Sequence, residues 1–480
     1  MIIRMVCAAL VAALIGAAVV RSRAQQTSPN VVLILADDLG YGDVGFQGQR
    51  IVSTPNIDRL AAEGMVFRQF YAGSTVCAPS RSALLTGQHT GHTYIRGNVR
   101  MEPEGQFPLA DAVFTVAELF KRAGYGTAAF GKWGLGPVGS EGDPNQQGFD
   151  RFFGYNCQSL AHRYYPAHLW NNDEKIVLDA NGRLEHQQVY APDLIQRAAL
   201  RYLDTVRKDR PFFLFVPTVL PHAELVVPDD MIWRTFKGRF AETPFEGSDY
   251  GEDARATGYA SQSHPRAAFA AMVTTLDRQV GQLLDKLDSL GITENTLVIF
   301  TSDNGPHREG GADPDFFNSA GGLRGYKRDL YEGGVRVPFV VRWPACVMPG
   351  GTSDHIGAFW DLMPTFAELT GKPIGMTTDG ISLLPTLLNR GAQKQHAYLY
   401  WEFHEQGGKQ AVRMGPWKGI RLEAARYPDR VISLYHLGND PGEQRDVAAE
   451  YPDIVARIKR IMQEAHVETD HFPFHARNGF

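Results

Sequence analysis

The sequence predicts an α/β fold: a large, mixed, mostly parallel sheet sandwiched by helices, then a smaller C-terminal α+β subdomain of antiparallel strands and a helix. Three observations predict it. Continuous apolar runs end in polar residues, as strands buried on both faces of a parallel sheet do. Amphipathic helical stretches alternate with those runs. Past a Gly/Thr/Pro-rich stretch the pattern changes to short, closely spaced strand-like segments. With 480 residues, 44% of them apolar and 21% charged, the chain can bury a sizeable core and is not disordered. Its 48 basic and 53 acidic side chains lack the basic excess of a nucleic-acid binder, so no nucleic-acid partner is expected.

Residues 1–24 read as a secretory signal. Arg4 supplies the positive start, and residues 5–20 are apolar. Ser22 and Ala24 are the small residues before a cut at Gln25. The apolar run is shorter than the ~20 residues a membrane span needs, so no stable membrane insertion is expected and the mature protein is secreted or periplasmic. The leader removes Cys7 and leaves Cys77, Cys157 and Cys346, an odd number, so an internal disulfide cannot use them all. Cys157 and Cys346 remain either two thiols or one bridge.

Residues 31–36 form the first strand and run into Asp37-Asp38. Residues 125–130 run into Gly131-Lys132, residues 212–216 lead to His222, and residues 297–300 pass through Thr301-Ser302 to Asp303-Asn304. Residues 335–343 make a fifth strand, with Pro338 marking an edge or an irregular start. Helices lie between them. Thr54-Pro55 opens one that buries Ile57, Leu60 and Ala61 and ends at Gly64. Thr115 and Glu118 form a capping box. Residues 266–290 carry apolar residues spaced by three and four from Val273 to Leu290, and residues 361–370 form a shorter helix. The catalytic unit is expected over residues 25–375, a joint over 376–395 and the subdomain over 396–480. In that subdomain, residues 397–403, 411–414, 417–422 and 432–437 read as strands and residues 453–465 as a helix. Residues 134–148 and 238–265 are polar loops. Sites in open α/β sheets form at the carboxyl ends of strands, where four strands here deliver charged or ligating groups.

Cys77 is followed by Ala78-Pro79-Ser80-Arg81-Ser82-Ala83-Leu84-Leu85-Thr86-Gly87. Pro79 suits a first helical turn, so Cys77 lies at a helix N-terminus, which favours an anion, and Arg81 can face the same way. The whole string resembles the signature of the type I, formylglycine-dependent sulfatases of the alkaline phosphatase superfamily. The resemblance continues in order through Asp37-Asp38, Gly131-Lys132-Trp133, Leu220-Pro221-His222, Ser302-Asp303-Asn304-Gly305 and Leu323-Arg324-Gly325-Tyr326-Lys327 to Glu332-Gly333-Gly334-Val335-Arg336-Val337-Pro338. It implies an alkaline phosphatase-like fold.

The resemblance implies that Cys77 is oxidised to formylglycine by a separate formylglycine-generating enzyme. The hydrated aldehyde then attacks sulfur, and its second hydroxyl expels sulfate. It implies a Ca²⁺ ion (or Mg²⁺) held by Asp37, Asp38, Asp303, Asn304 and modified Cys77; the all-oxygen donor set suits a hard cation. Arg81 would fix the diol, Lys132 and Lys327 would bind sulfate oxygens, and His222 would bind sulfate or protonate the leaving alcohol. One position departs from the pattern. Gly134 stands where many members have a histidine that contacts the diol, and His162, His307 and His89 are candidates to replace it. His162 and His307 are the expected substrate contacts, in polar strings that also include Asn156, Gln158 and Glu309. An exported protein with such polar strings favours a sulfated carbohydrate over a small aryl sulfate, and resemblance to the arylsulfatase A and N-acetylgalactosamine-6-sulfatase branch leaves galactose or N-acetylgalactosamine sulfate as the leading expectation. Alternatives are a formylglycine-dependent phosphate or phosphonate monoester hydrolase and a non-catalytic sulfoglycan-binding protein. His89-x-x-His92 offers a zinc pair with no acid in motif spacing.

Overall fold

The structure is a computed structural model that describes residues 28–102, 104–181, 187–207, 209–249 and 258–474; the expected leader, residues 1–24, lies outside them. Ten strands form one sheet: β1 (Asn30–Ala36), β2 (Met65–Tyr71), β3 (Gly126–Lys132), β4 (Arg151–Tyr155), β5 (His168–Asn171), β6 (Glu174–Val177), β7 (Phe212–Pro217), β8 (Thr296–Ser302), β9 (Phe339–Arg342) and β10 (Gly351–Ala358). Their order is β10-β2-β9-β8-β1-β7-β3-β4-β5-β6. The centre, from β8 through β1, β7 and β3 to β4, is parallel throughout.

Alternation along β1 builds two cores. Val32, Ile34 and Ala36 face the helices Ala191–Thr205 and Pro265–Ser289. Val31, Leu33 and Leu35 face the helices Cys77–Thr86, Val116–Arg122 and Leu362–Thr370. Burial on both sides is why these strands read as unbroken apolar runs. The capping box forms as expected, the Thr115 hydroxyl accepting from Glu118 N and the Glu118 carboxylate from Thr115 N.

The fifth strand is shorter than its apolar run. Residues Glu332–Val335 form one helical turn, and only Phe339–Arg342 pairs as β9, antiparallel to β8 and β2. Pro338 has no amide hydrogen to continue a ladder. Sequence patterning missed β2, β4, β5, β6, β10 and the helix Ala191–Thr205. β10 shows why: its outer residues alternate between exposed and half-buried and carry no apolar run.

A separate antiparallel sheet follows: β11 (Leu399–Phe403), β12 (Lys409–Met414), β13 (Trp417–Leu422) and β14 (Ser433–His436). One face is covered by the helix Pro452–Glu464 through Ile458, Ile461 and Met462. The other packs Trp401 and Phe403 against Tyr71, Val76 and Trp360 of the large unit. The Trp401 indole N–H donates to Ala72 O at 2.9 Å. Among the described residues no helix is long and apolar enough to cross a membrane.

Candidate active site

The register of the central strands assembles the site. Ala36 of β1 pairs with Ser302 of β8, so Asp37 and Asp303 leave the sheet side by side, with Asp303 N donating to Ala36 O at 3.0 Å. Asp38 adopts a left-handed backbone with φ 61°, and its amide donates to Asp303 Oδ1 at 3.0 Å. Lys132 ends β3 and reaches Asp37 Oδ2 at 2.7 Å. Cys77 opens the fully buried helix Cys77–Thr86, its Sγ 3.5 Å from both Asp37 Oδ1 and Lys132 Nζ. Arg81, one turn on, clamps Asp303 Oδ2 through Nε at 3.2 Å and Nη2 at 2.8 Å, and its Nη1 donates to Lys132 O at 2.6 Å.

Lys327 has all three of its N–H groups engaged: Asp38 Oδ2 at 2.9 Å, His222 Nε2 at 3.0 Å and Glu309 Oε2 at 3.0 Å. His222 Nδ1 donates to Ala223 O, so its Nε2 lone pair faces the lysine. Burial, then the lysine charge, pushes the His222 pKa down to about 4. Burial raises Asp303 to about 7, reinforced by the negative Asp37. Burial also opposes ionisation of Asp37, but Lys132, His222 and Arg81 outweigh it and hold that carboxyl below its usual range. Burial pushes the Cys77 thiol well up.

The donor chemistry fits a divalent cation. Asp37, Asp38 and Asp303 are buried together, the like charges raising Asp303, and the buried Asn304 Oδ1 takes no hydrogen bond. Among the described residues, Asp37, Asp38, Cys77 and His222 bring ligand atoms within 4.8 Å of one another, and so do Asp38, His307 and Glu309. Asp303 instead spends its oxygens on Arg81 and the Asp38 amide.

The expected substrate contacts differ. His162 is partly buried, and its ring lies flat on His222 with centroids 5.0 Å apart. His307 is buried with both nitrogens engaged: Nδ1 accepts from Glu309 N at 3.1 Å and Nε2 faces Pro221 O at 3.3 Å. His89 does not join this group. It packs on His92, Tyr400 and Trp360, and Asp379 supplies the acid that motif spacing lacked, 2.9 Å from His92 Nδ1. His89 Nδ1 accepts the Gly91 amide at 3.1 Å, which leaves the ring proton on Nε2, the atom facing Asp379. With Asp379, the two histidines place three ligand-type atoms within 4.8 Å of one another, apart from the cluster around Cys77. At Gly134, with φ +78°, a Cβ would lie 2.3 Å from Gln158 Nε2. The buried Gln158 fills that space, and neither its Nε2 nor the neighbouring Asn156 Oδ1 has a partner.

Sequence reasoning missed Tyr259, which donates to Glu309 Oε2 at 3.1 Å, and Arg328, 2.5 Å from Glu309 Oε1. It also missed Asn98, whose Oδ1 accepts Ala78 N beside the cysteine at 3.0 Å. Tyr259 falls in a polar loop and offers no pattern; Arg328 was visible only as the neighbour of Lys327. Cys157 is a buried thiol that forms no bridge to the half-buried Cys346.

Cations aimed at one point beside a helix-terminal cysteine, at the strand ends of an alkaline phosphatase-like sheet, are the arrangement of an anionic-ester hydrolase. The chain belongs to the sulfatase family: the Sulfatase family model matches residues 29–372, and that of N-sulphoglucosamine sulphohydrolase, C-terminal, matches residues 324–468. Human arylsulfatase A is 34% identical over 90% of this chain and 87% of its own length. Human N-acetylgalactosamine-6-sulfatase is 29% identical over 91% of this chain and 85% of its own. Among solved structures, Ps i-CgsB in complex with k-i-k-neocarrahexaose superposes with a TM-score of 0.74 at 28% identity, covering 91% of this chain and 92% of that one. The protein is therefore a sulfatase, a hydrolase of sulfate esters of sugars or aryl alcohols, in a family that uses a metal ion and formylglycine.

Proposed function

We propose that this sulfatase removes sulfate from a sulfated carbohydrate outside the cytoplasm (secreted or periplasmic), with galactose or N-acetylgalactosamine sulfate as the leading substrates. The observation behind it is a set of polar side chains around the site: partly buried His162, stacked on His222, and the buried amides of Gln158 and Asn156, whose Nε2 and Oδ1 have no partner. Buried polar groups without partners suit the hydroxyls and amides of a sugar better than an aryl ring. The relatives' names, a galactosamine sulfatase and an oligosaccharide complex, point the same way.

Asp37, Asp38, Asp303, Asn304 and residue 77 would hold Ca²⁺, or Mg²⁺, which when bound lowers the nucleophile's pKa and neutralises sulfate oxygens. Formylglycine, made from Cys77 by a separate maturing enzyme, would supply the nucleophilic hydroxyl. Arg81, held by Asp303, orients residue 77. Lys132 and Lys327 would bind sulfate oxygens, Lys327 by exchanging one of its three present partners, Asp38, His222 or Glu309, for the ester. His222, its Nδ1 fixed on Ala223 O, keeps Nε2 beside Lys327, so the pair holds a proton for the leaving oxygen.

The test is sulfate release from mono- and disaccharides sulfated at different positions of galactose, N-acetylgalactosamine and glucosamine, with the Cys77 peptide checked by mass spectrometry. Release from a galacto-configured isomer supports the proposal. Release from aryl sulfates alone, with formylglycine present, overturns it.

A further inference from the structure

Glu309 is a charge for which the catalytic roles above have no use. Asp37, Asp38 and Asp303 each have a direct cationic partner among Arg81, Lys132 and Lys327, Arg81 also lying 3.5 Å from Asp37. Glu309 is a fourth carboxylate in the same cluster, its side chain only 18% exposed. Its Oε2 accepts from Lys327 at 3.0 Å and Tyr259 at 3.1 Å, and its Oε1 pairs with Arg328 at 2.5 Å. His222 Nε2 lies 3.8 Å from Oε2. The turn behind it is tight: Gly310 and Gly311 have φ +62° and +89°, and a Cβ on Gly311 would meet Phe245 Cβ at 2.7 Å. Glu309 is thus a carboxylate held between Arg328 and the lysine assigned to the ester's oxygens, and it lowers the positive charge that lysine offers.

We infer that Glu309 determines charge specificity: it sets the pocket for a singly charged sulfate ester and against a doubly charged phosphate ester. The inference rests on the sulfatase reading of this site. A sulfate monoester carries one negative charge, whereas a phosphate monoester is largely dianionic above its second pKa of about 6. An extra unit charge at an assumed separation of about 6 Å from an isolated carboxylate would be disfavoured on the order of a hundredfold at an effective dielectric of about 20, and the Arg328 partner of Glu309 reduces this toward the tenfold the experiment reads. Neutralising Glu309 removes that penalty from the phosphate ester more than from the sulfate ester.

The experiment compares kcat/KM for the 4-nitrophenyl sulfate and phosphate pair at pH 8. If the aryl pair is not turned over, it uses the sugar sulfate identified by the panel and its phosphate counterpart. Wild type, Glu309→Gln and Glu309→Asp are measured with formylglycine content and Ca²⁺ matched. Glu309→Gln should lower the sulfate-to-phosphate ratio at least tenfold, while Glu309→Asp, which keeps the charge, should hold the wild-type ratio even if both rates fall. A ratio unchanged in Glu309→Gln, or shifted equally in both variants, overturns the inference and leaves Glu309 a structural support for Lys327. A wild type that releases phosphate but no sulfate from any ester fails differently: it overturns the sulfatase reading and the inference with it.

Discussion

Gly134 and Gln158 occupy one volume between them. The missing side chain and the left-handed φ of +78° let the Gln158 amide in. Restoring a histidine at 134 should therefore destabilise the protein by about 1–3 kcal/mol, through backbone strain and overpacking, as read from denaturant midpoints. Pairing it with Gln158→Gly should recover part of that loss; no recovery would mean that the backbone, not Gln158, excludes a side chain. Cys77→Ala should abolish sulfate release and shift stability by only about 1 kcal/mol, checked by turnover and thermal melting. The residues legible in the sequence were those at strand ends and in the signature helix, Asp37, Lys132, Asp303 and Cys77, because a local pattern fixes where they emerge. Gln158 and Tyr259 were not legible as partners, since each acquires its neighbour from a loop distant in sequence.

The segment after the signature helix ties the site to the second sheet. Asn98 holds the Ala78 amide, and Arg96 Nη1 reaches buried Glu402 of β11 at 3.1 Å. Glu402 also receives Tyr400 at 2.8 Å, His404 at 2.9 Å and His466 at 2.7 Å. Burial would raise the Glu402 pKa, but bonds from His404 and His466 and the nearby cations hold it below its ordinary 4.5. A carboxyl depressed on folding stabilises above its unfolded pKa and loses that contribution as pH falls through the folded value. Glu402→Gln should thus lower Tm at pH 7, and the gap to wild type should narrow as pH drops below 4.5. A constant gap would show that the charge is not what matters. Among whole elements, β1, β3, β7 and β8 were legible because both faces are buried. β2 and β10 were not: the sheet's periphery leaves one side half-exposed, and no single periodicity survives there.

At the scale of the molecule, two sheets share a buried ionic contact. Lys418 of β13 reaches Glu332 at 2.9 Å and Glu443 at 3.4 Å, all three buried. Breaking one partner of a buried set typically costs about 3–5 kcal/mol, so Lys418→Met should loosen the junction and expose it to limited proteolysis before the large sheet unfolds. A chain ending at residue 395 would expose Tyr71, Val76 and Trp360 and should bind a hydrophobic dye. Chelation should lower the Tm of the whole chain, and Ca²⁺ should restore it, because the carboxylates of Asp37, Asp38 and Asp303 then face one another without a divalent partner. The Lys418 contact, made by residues from three separate segments, was not legible in the sequence.

Cys77 is 2% exposed, and its helix is latched by the Ser80 hydroxyl to the carbonyl of Asp303, made 226 residues after the cysteine. If residue 77 is matured as proposed, a thiol so enclosed is converted more readily before β8 docks than after, and a chain that folds faster than it is modified would keep its thiol.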